Sequence, residues 1–384
     1  MTPGQTLGQA SGYDLAVIGA GIVGLAHAYV AADLGKRVVV IDRDLRANGA
    51  SVRNFGFVTV TGQQAGETWR LARRTRELWA QIAPKAGVEI EHRGLVLTLR
   101  RPESVALVEA FLATEMGEGC RLLDAADLRR LAPEIAAPGT LGALTSPHEL
   151  RVESRDALPK LAQWLSQAHG VDFVTAAALS VAPPLIETSR GSVHAQAAIV
   201  CPGDDFVSLF ADAIAPFQLT RCRLSMLRLA SPGFRLPGGV MSDLGLVRYA
   251  GYGALPAAAA LRSRLEAEQP GHIDNGVHLI AVQSSDGSLV VGDSHHYDDL
   301  PSPFAPAQAE GFILDEFERA TGVAAPPVLE RWTGTYAVAR DRTFLVASPA
   351  EGVRLVIVTS GCGASTAFGL AESTVSELYG ERIG

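Results

Sequence analysis

DLAVIGAGIVGLAHAYVAADLG, residues 14–35, decides the fold. Leu15 to Ile18 reads as a buried strand, Ile22 to Leu34 as a helix lined with small alanines, Gly35 as its stop, and Arg37 to Ile41 as the next strand. That is one βαβ unit, and the glycines at its turn each have a physical task. Gly19 permits the tight turn, Gly21 lets a pyrophosphate approach the backbone, and Gly24 lets the helix lie close on the sheet. The helix mouth offers unpaired N–H groups and a partial positive charge to phosphates. Asp42, at the end of the second strand, is placed to accept hydrogen bonds from ribose hydroxyls. These features point to a dinucleotide, FAD or NAD. Arg43 beside the acid reads either as a partner for a 2′-phosphate or as a surface charge.

The rest of the chain sets bounds on what such a unit serves. At 384 residues, two lobes of ordinary size are expected. A net charge of −8 without a basic run argues against a nucleic-acid groove or a membrane-surface patch. Cys120, Cys201, Cys222 and Cys362 show no CxxC or other metal-ligand spacing, as reduced thiols in a cytoplasmic protein would not. The apolar run Leu15 to Ala32 is interrupted by glycines and preceded by Asp14, so neither a signal nor a membrane span is expected. Residues 1 to 12 read as a loose tail.

Helical spacing of Trp69, Ala72, Leu78, Trp79 and Ile82 predicts a helix over 67–83. Strands are expected over 88–99, helices over 103–117 and 124–132, and a loop leading into a helix from His148 to Ala168. Short strands follow up to residue 203. Residues 217–300 read as antiparallel sheet, followed by a helix over 306–321 and strands over 342–347 and 354–359. The chain therefore leaves its nucleotide-binding lobe and returns. A second strand, glycine turn and helix close it, in RLVIVT and then SGCGASTAFGLAES at 360–373.

Together, GAGIVG, GASVRNFG at 49–56, AAIVCPGDD at 197–205 and SGCGASTAFGLAES resemble the FAD-dependent oxidoreductases of the D-amino acid oxidase, glycine oxidase and sarcosine oxidase type. More narrowly, SVRNFGFV, SPHELRVESR at 146–155, GDSHHYD at 292–298 and WTGTYA at 332–337 resemble the clade proposed to act on aminophosphonates. The resemblance implies an α/β fold: a Rossmann-like FAD-binding domain over 13–86, 146–215 and 330–384, interleaved with an antiparallel substrate domain over 87–145 and 216–329. It implies FAD, held noncovalently, since Cys362 matches no attachment pattern.

The implied cofactor contacts come from six segments. They are Gly19, Ala20, Gly21, Ile22, Val23 and Gly24 in the first turn; Asp42 and Arg43; and Ala50, Ser51, Arg53, Asn54, Phe55 and Gly56 along flavin and pyrophosphate. The backbone of Leu179 is expected at the adenine, and Cys201 and Gly203 near the ribitol. Gly361, Gly363, Ala364, Ser365 and Thr366 supply the sixth, where a helix starting at Ala364 or Ser365 aims its positive end at the flavin's C2 carbonyl and N1, favouring the reduced anion.

The implied reaction is amine oxidation by hydride transfer to flavin N5, giving an imine that water hydrolyses to an aldehyde or keto product, with oxygen or another acceptor taking the electrons. It needs no metal and no side-chain nucleophile. Many glycine-oxidase-like members have an arginine soon after a WxG, where it clamps the substrate carboxylate; here Tyr336 stands about there, which puts a plain α-carboxylate in doubt. Other anion holders are Arg248 with Tyr249, Arg340 and Arg342, and the His295, His296, Tyr297 cluster. Adjacent histidines alternate faces on a strand, and an end of that strand near Tyr297 favours His296. A zinc site is not expected, because no third ligand is spaced nearby, and His148 with Glu149 reads as a structural loop. The expected substrate is a small anionic amine, an aminophosphonate or else glycine, sarcosine or a D-amino acid. An NAD-linked dehydrogenase leaves the closing glycine helix without a use, and a non-catalytic flavoprotein leaves the arginines without one.

Overall fold

The computed structural model describes residues 12–381, so nearly all of the N-terminal tail lies outside the described residues. The βαβ unit is the strand Tyr13–Ile18, the helix Ile22–Asp33 and the strand Val38–Asp42, with the two strands in parallel register from Leu15 opposite Val38 to Ile18 opposite Ile41. Val38 to Ile41 are buried on both faces, as a β-branched run in a covered parallel sheet should be. Outward from this pair the sheet adds Asp172–Thr175 on one side. On the other come Gly191–Val200, Val353–Val358 and Phe344–Ala347, and a small ribbon of Ala178–Ala182 and Leu185–Thr188 pairs with Gly191–Val200. Burial pushes the pKa of His27 down to about 4, so the helix Ile22–Asp33 crosses the core without a charge until Asp33. It packs against the closing helix Gly363–Tyr379.

A second sheet of nine strands forms the other lobe. Its order is Val328–Val338, Thr220–Leu229, Leu289–Asp298, Ile280–Gln283, Gly239–Ser242, Ile90–Leu99, Gly142–Val152 and Phe57–Val58, with Arg121–Asp124 beside Gly142–Val152. All its pairings are antiparallel except Gly239–Ser242 with Ile90–Leu99. The expected α/β architecture with an interleaved antiparallel sheet is present.

Three sequence expectations are corrected by this sheet. Residues 146–152 are strand, not loop. Pro147 and His148 fall where the register with the neighbouring strand slips between Arg93 and Leu95, a place where a sheet tolerates proline. Residues 330–338 also belong to the second sheet, so both 146–152 and 330–338 lie on the other side of the expected division. Residues 217–300 are not all strand: AAALRSRLEAE forms the helix Ala258–Glu268, followed by Pro270–Asp274. Its alanines, leucines and glutamates are strong helix formers, and that local preference prevails.

Candidate active site

The glycine turn is built as tightly as its spacing suggests. Gly19 has φ +106°, and a Cβ there would stand 2.5 Å from the carbonyl oxygen of Cys201. A Cβ on Gly24 would stand 1.8 Å from the carbonyl oxygen of Gly19, so helix and strand meet at a distance only glycine allows. Asp42 holds the turn from below: its Oδ2 accepts the amide of Ala20 at 2.6 Å and its Oδ1 that of Asp44 at 2.8 Å. Arg43 pairs with Asp205 at 3.1 Å across the mouth. The loop 49–56 is fixed by its own side chains. Asn54 donates to the carbonyl of Ala50 at 2.6 Å and accepts from the amide of Gly56 at 2.7 Å, and Ser51 accepts from the amide of Ile22 at 3.0 Å.

Between these elements runs a cavity of about 510 Å³ that passes from the glycine turn to the second sheet. It brings together Gly19, Gly21, Ile22, Val23, Gly24, Asp42, Arg43, Ala50, Ser51, Arg53, Asn54, Phe55, Cys201, Gly203, Gly361, Gly363, Ala364 and Ser365. Arg248, Tyr249 and Tyr336 line its inner end.

Three expected cofactor residues brace the wall from behind. Ala20 gives its amide to Asp42, and Thr366 donates to the carbonyl of Cys362 at 3.0 Å. Gly56 has φ +66°, and a Cβ there would stand 1.8 Å from the carbonyl of Val152.

Four expected site residues, one for the cofactor and three for the substrate, lie off the cavity. Leu179 is 63% exposed and off the cavity; Ala176, Ala177 and Ala178 line it instead, because the amide of Ala176 binds the carbonyl of Asp42 and carries the chain past the cavity edge. His295, not His296, faces the cavity. The strand runs on to Asp298, so Asp293, His295 and Tyr297 share one face, while His296 lies opposite Arg223 on the other. Arg340 is exposed beyond the end of Val328–Val338 and off the cavity; Arg342, half-buried and paired with Asp341, is off it too.

At the inner end, Tyr336, Cys222 and Tyr297 stand opposite one another across three strands. Arg248, at the end of the turn Gly245–Arg248, leans over them. Its guanidinium is 5.9 Å from the Tyr297 ring centre and its Nη2 donates to the Tyr336 hydroxyl at 3.4 Å. Its exposed surface is cavity wall, and among the described residues no carboxylate lies within ion-pair distance of it. Gly361 (φ +71°) lies against the Tyr336 ring, where a Cβ would come within 3.1 Å.

Sequence spacing offered no third partner near the adjacent histidines, yet the fold supplies two. His278 and Asp293 exchange backbone hydrogen bonds of 3.3 and 3.0 Å, which sets both side chains beside His295. The signal lay in the period of two through GDSHHYD, which places an acid on the face of the first histidine.

A glycine turn at a helix mouth, a cavity leading from it to an antiparallel sheet, and a second helix mouth at Gly363 are the parts of a dinucleotide-dependent redox protein. The crowding at Gly19 and Gly24, with bare backbone at Gly21, fits a pyrophosphate approaching the turn. The chain belongs to the DAO family of FAD dependent oxidoreductases, whose model matches residues 14–377, and its cofactor is FAD. Comparison with curated proteins gives no match. Among solved structures, glycine oxidase from Geobacillus kaustophilus is similar, with TM-score 0.77 and 16% identity over 97% of this chain and 96% of that one. L-proline dehydrogenase from P. horikoshii has TM-score 0.76 and 15% identity over 97% and 94%. L-alpha-glycerophosphate oxidase from Mycoplasma pneumoniae, solved with FAD bound, has TM-score 0.73 and 15% identity over 96% and 95%. At these identities the likeness is one of fold. Among the described residues no helix is long and apolar enough to cross a membrane.

Proposed function

We propose that this enzyme oxidises the C–N bond of a small anionic amine, an aminophosphonate such as 2-aminoethylphosphonate or its N-methyl derivative. The product imine takes up water and gives an aldehyde with ammonia, or with methylamine from the N-methyl substrate, and dioxygen accepts the electrons as hydrogen peroxide. The observation that carries this reading is Arg248, a guanidinium turned into the inner end of the cavity with no acid paired to it.

Bound noncovalently along Gly19–Gly24, Asp42, Ser51 and Gly361–Ala364, FAD supplies the two-electron acceptor. The protein's own work is to bind and orient. Arg248 holds the anionic end, and the hydroxyl of Tyr336 adds one neutral hydrogen bond to it. Phe55, Phe57, Leu224 and Ile280 line the space between and exclude water, which strengthens the charge interaction. The backbone mouth of Gly363–Tyr379 presents its positive end to the same space.

A carboxylate substrate is the second reading. The similar solved structures include a glycine oxidase and a proline dehydrogenase, and a guanidinium also binds carboxylates in two-point fashion. Anaerobic mixing of the purified yellow protein with 2-aminoethylphosphonate, its N-methyl derivative, glycine, sarcosine and D-alanine separates the two. Bleaching of the flavin by the phosphonates is the expected result. Bleaching only by the carboxylates moves the assignment to an amino-acid oxidase or dehydrogenase, and bleaching by none supports a non-catalytic flavoprotein.

A further inference from the structure

The anion-holding arrangement of Arg248 and Tyr336 leaves three titratable groups of the inner wall without a part. His278, Asp293 and His295 are 4%, 3% and 7% exposed, yet all three line the cavity. Their donor atoms lie within 4.8 Å of one another. His278 Nδ1 is 3.1 Å from Asp293 Oδ1, and His295 Nε2 is 3.6 Å from Asp293 Oδ2. Neither His278 Nδ1 nor Asp293 Oδ1 is in a well-formed hydrogen bond. Leaving such buried groups without a partner is unfavourable unless a ligand uses them. The Nδ1 of His295 donates to the carbonyl of Gly276 at 2.8 Å, which leaves its Nε2 as a lone-pair acceptor turned toward Asp293.

Acceptors gathered in this way suit a cation. The charged and titratable groups that face Asp293 are His278 and His295 beside it, Arg248 and Tyr249 from the turn after Gly245, Tyr297 on its own strand, and Cys222 on the neighbouring one. None is a second carboxylate. The guanidinium at the same end opposes a doubly charged ion. It favours a cation that carries its own anion, which describes a zwitterion with its acid end on Arg248.

We propose that Asp293, flanked by His278 and His295, binds the substrate's ammonium group and takes its proton, so that the amine is neutral when it is oxidised. This rests on the amine-oxidation reading. One N–H bond breaks and one O–H bond forms on the Asp293 carboxylate; the N–H electron pair stays on nitrogen as the lone pair, and nothing is oxidised or reduced in this step. The proton leaves to solvent after the product. Burial holds the pKa of Asp293 well above the carboxylate range, against the pull of Arg248, and so brings it toward that of an amine. Burial, seconded by Arg248, holds His278 down to about 3 and His295 well below its usual value, so neither imidazole repels an ammonium.

The test is anaerobic flavin reduction by the holoenzyme, using the best amine of the panel at subsaturating concentration over about pH 6 to 10. The wild-type rate is expected to be level between the pKa of the site and that of the ammonium, then to fall. In Asp293→Asn the rate depends on free amine from solution. It climbs about tenfold per pH unit up to the ammonium pKa and lies about 10²-fold below wild type near pH 8. His295→Gln should shift the same way by about tenfold. The proposal is overturned by parallel profiles in wild type and Asp293→Asn, by a wild-type rate that itself climbs with free amine, or by a stoichiometric divalent metal that is lost in His278→Gln. If Asp293→Asn does not retain FAD, the wild-type profile and His295→Gln decide. A wild-type flavin that no amine bleaches overturns this proposal together with the proposed function, whereas a bleached flavin with parallel profiles overturns this one alone.

Discussion

Ser51 Oγ accepts the amide of Ile22 at 3.0 Å, and it also lies 3.0 Å from where a Cβ on Gly21 would stand. Gly21 itself has φ −71°, an ordinary value for any residue. Gly21→Ala is therefore expected to fold with nearly unchanged Tm while its methyl group occupies the approach of the pyrophosphate, weakening FAD binding at least about tenfold, or 1.4 kcal/mol. Gly24→Ala has no such tolerance, because its Cβ would meet the carbonyl of Gly19 at 1.8 Å. It should lower the Tm of the apoprotein as well. Titration of apoprotein with FAD and thermal melts without it check the pair; equal melting losses in both would refute the distinction.

The contrast between these glycines also explains what was legible beforehand. The first turn could be read because its close contacts arise within one strand–turn–helix, where spacing in sequence is spacing in space. Asp293 and His278 could not, since they meet only through the pairing of Ile280–Gln283 with Leu289–Asp298 and the backbone bonds that extend it. Alternation along GDSHHYD was legible, but which face turned to the cavity depended on how far the strand ran. Leu179 failed for a similar reason: AALSV reads as strand throughout, and only the bond from Ala176 to Asp42 sets which part borders the cavity. Arg340 and Arg342 read as anion holders, yet the strand Val328–Val338 ends before them.

Arg248 is the guanidinium proposed to meet the substrate's anion, so its removal should act on binding. Arg248→Met is expected to raise the Kd of the anionic amine by roughly 10- to 100-fold, the loss of a charge-assisted hydrogen bond worth about 1.5–3 kcal/mol. An uncharged alkylamine of similar size should bind the two proteins alike. Stopped-flow reduction across substrate concentrations separates Kd from the limiting rate; an unaltered Kd for the anionic amine would remove Arg248 from the site.

The mouth of the helix Gly363–Tyr379 is expected to favour the reduced flavin. Ser365 is a poor place to test this, because it is buried and its Oγ accepts the amide of Thr59 at 2.8 Å. Ala364 lines the cavity and is partly exposed. Ala364→Asp should therefore lower the midpoint potential of bound FAD by on the order of 20 mV, about 1 kcal/mol of opposed helix-dipole stabilisation for a two-electron couple. Equilibration with a reference dye measures it, and a potential equal to wild type would place the flavin elsewhere.

Off the cavity lining, the second lobe contains a buried network whose charge state should govern stability. Arg101 binds Asp243 through Nη1 and Glu268 through Nε, both at 2.8 Å, and Gln269 through Nη2 at 2.6 Å; Gln269 in turn donates to Glu316 at 2.7 Å. Burial raises the pKa of Glu316 to about 7 from its usual 4.5, with the charge of Asp243 adding to the rise. Over that interval the folded protein holds a proton that the unfolded chain has released. Stability is then full below about pH 4.5, declines as pH rises, and levels off above about 7, a loss of roughly 3 kcal/mol across the window. Glu316→Gln keeps a carbonyl to accept from Gln269 and has nothing to titrate. Denaturant unfolding should show the variant flat in this respect and more stable than wild type above pH 7; equal pH slopes in the two proteins would mean that Glu316 is ionised throughout.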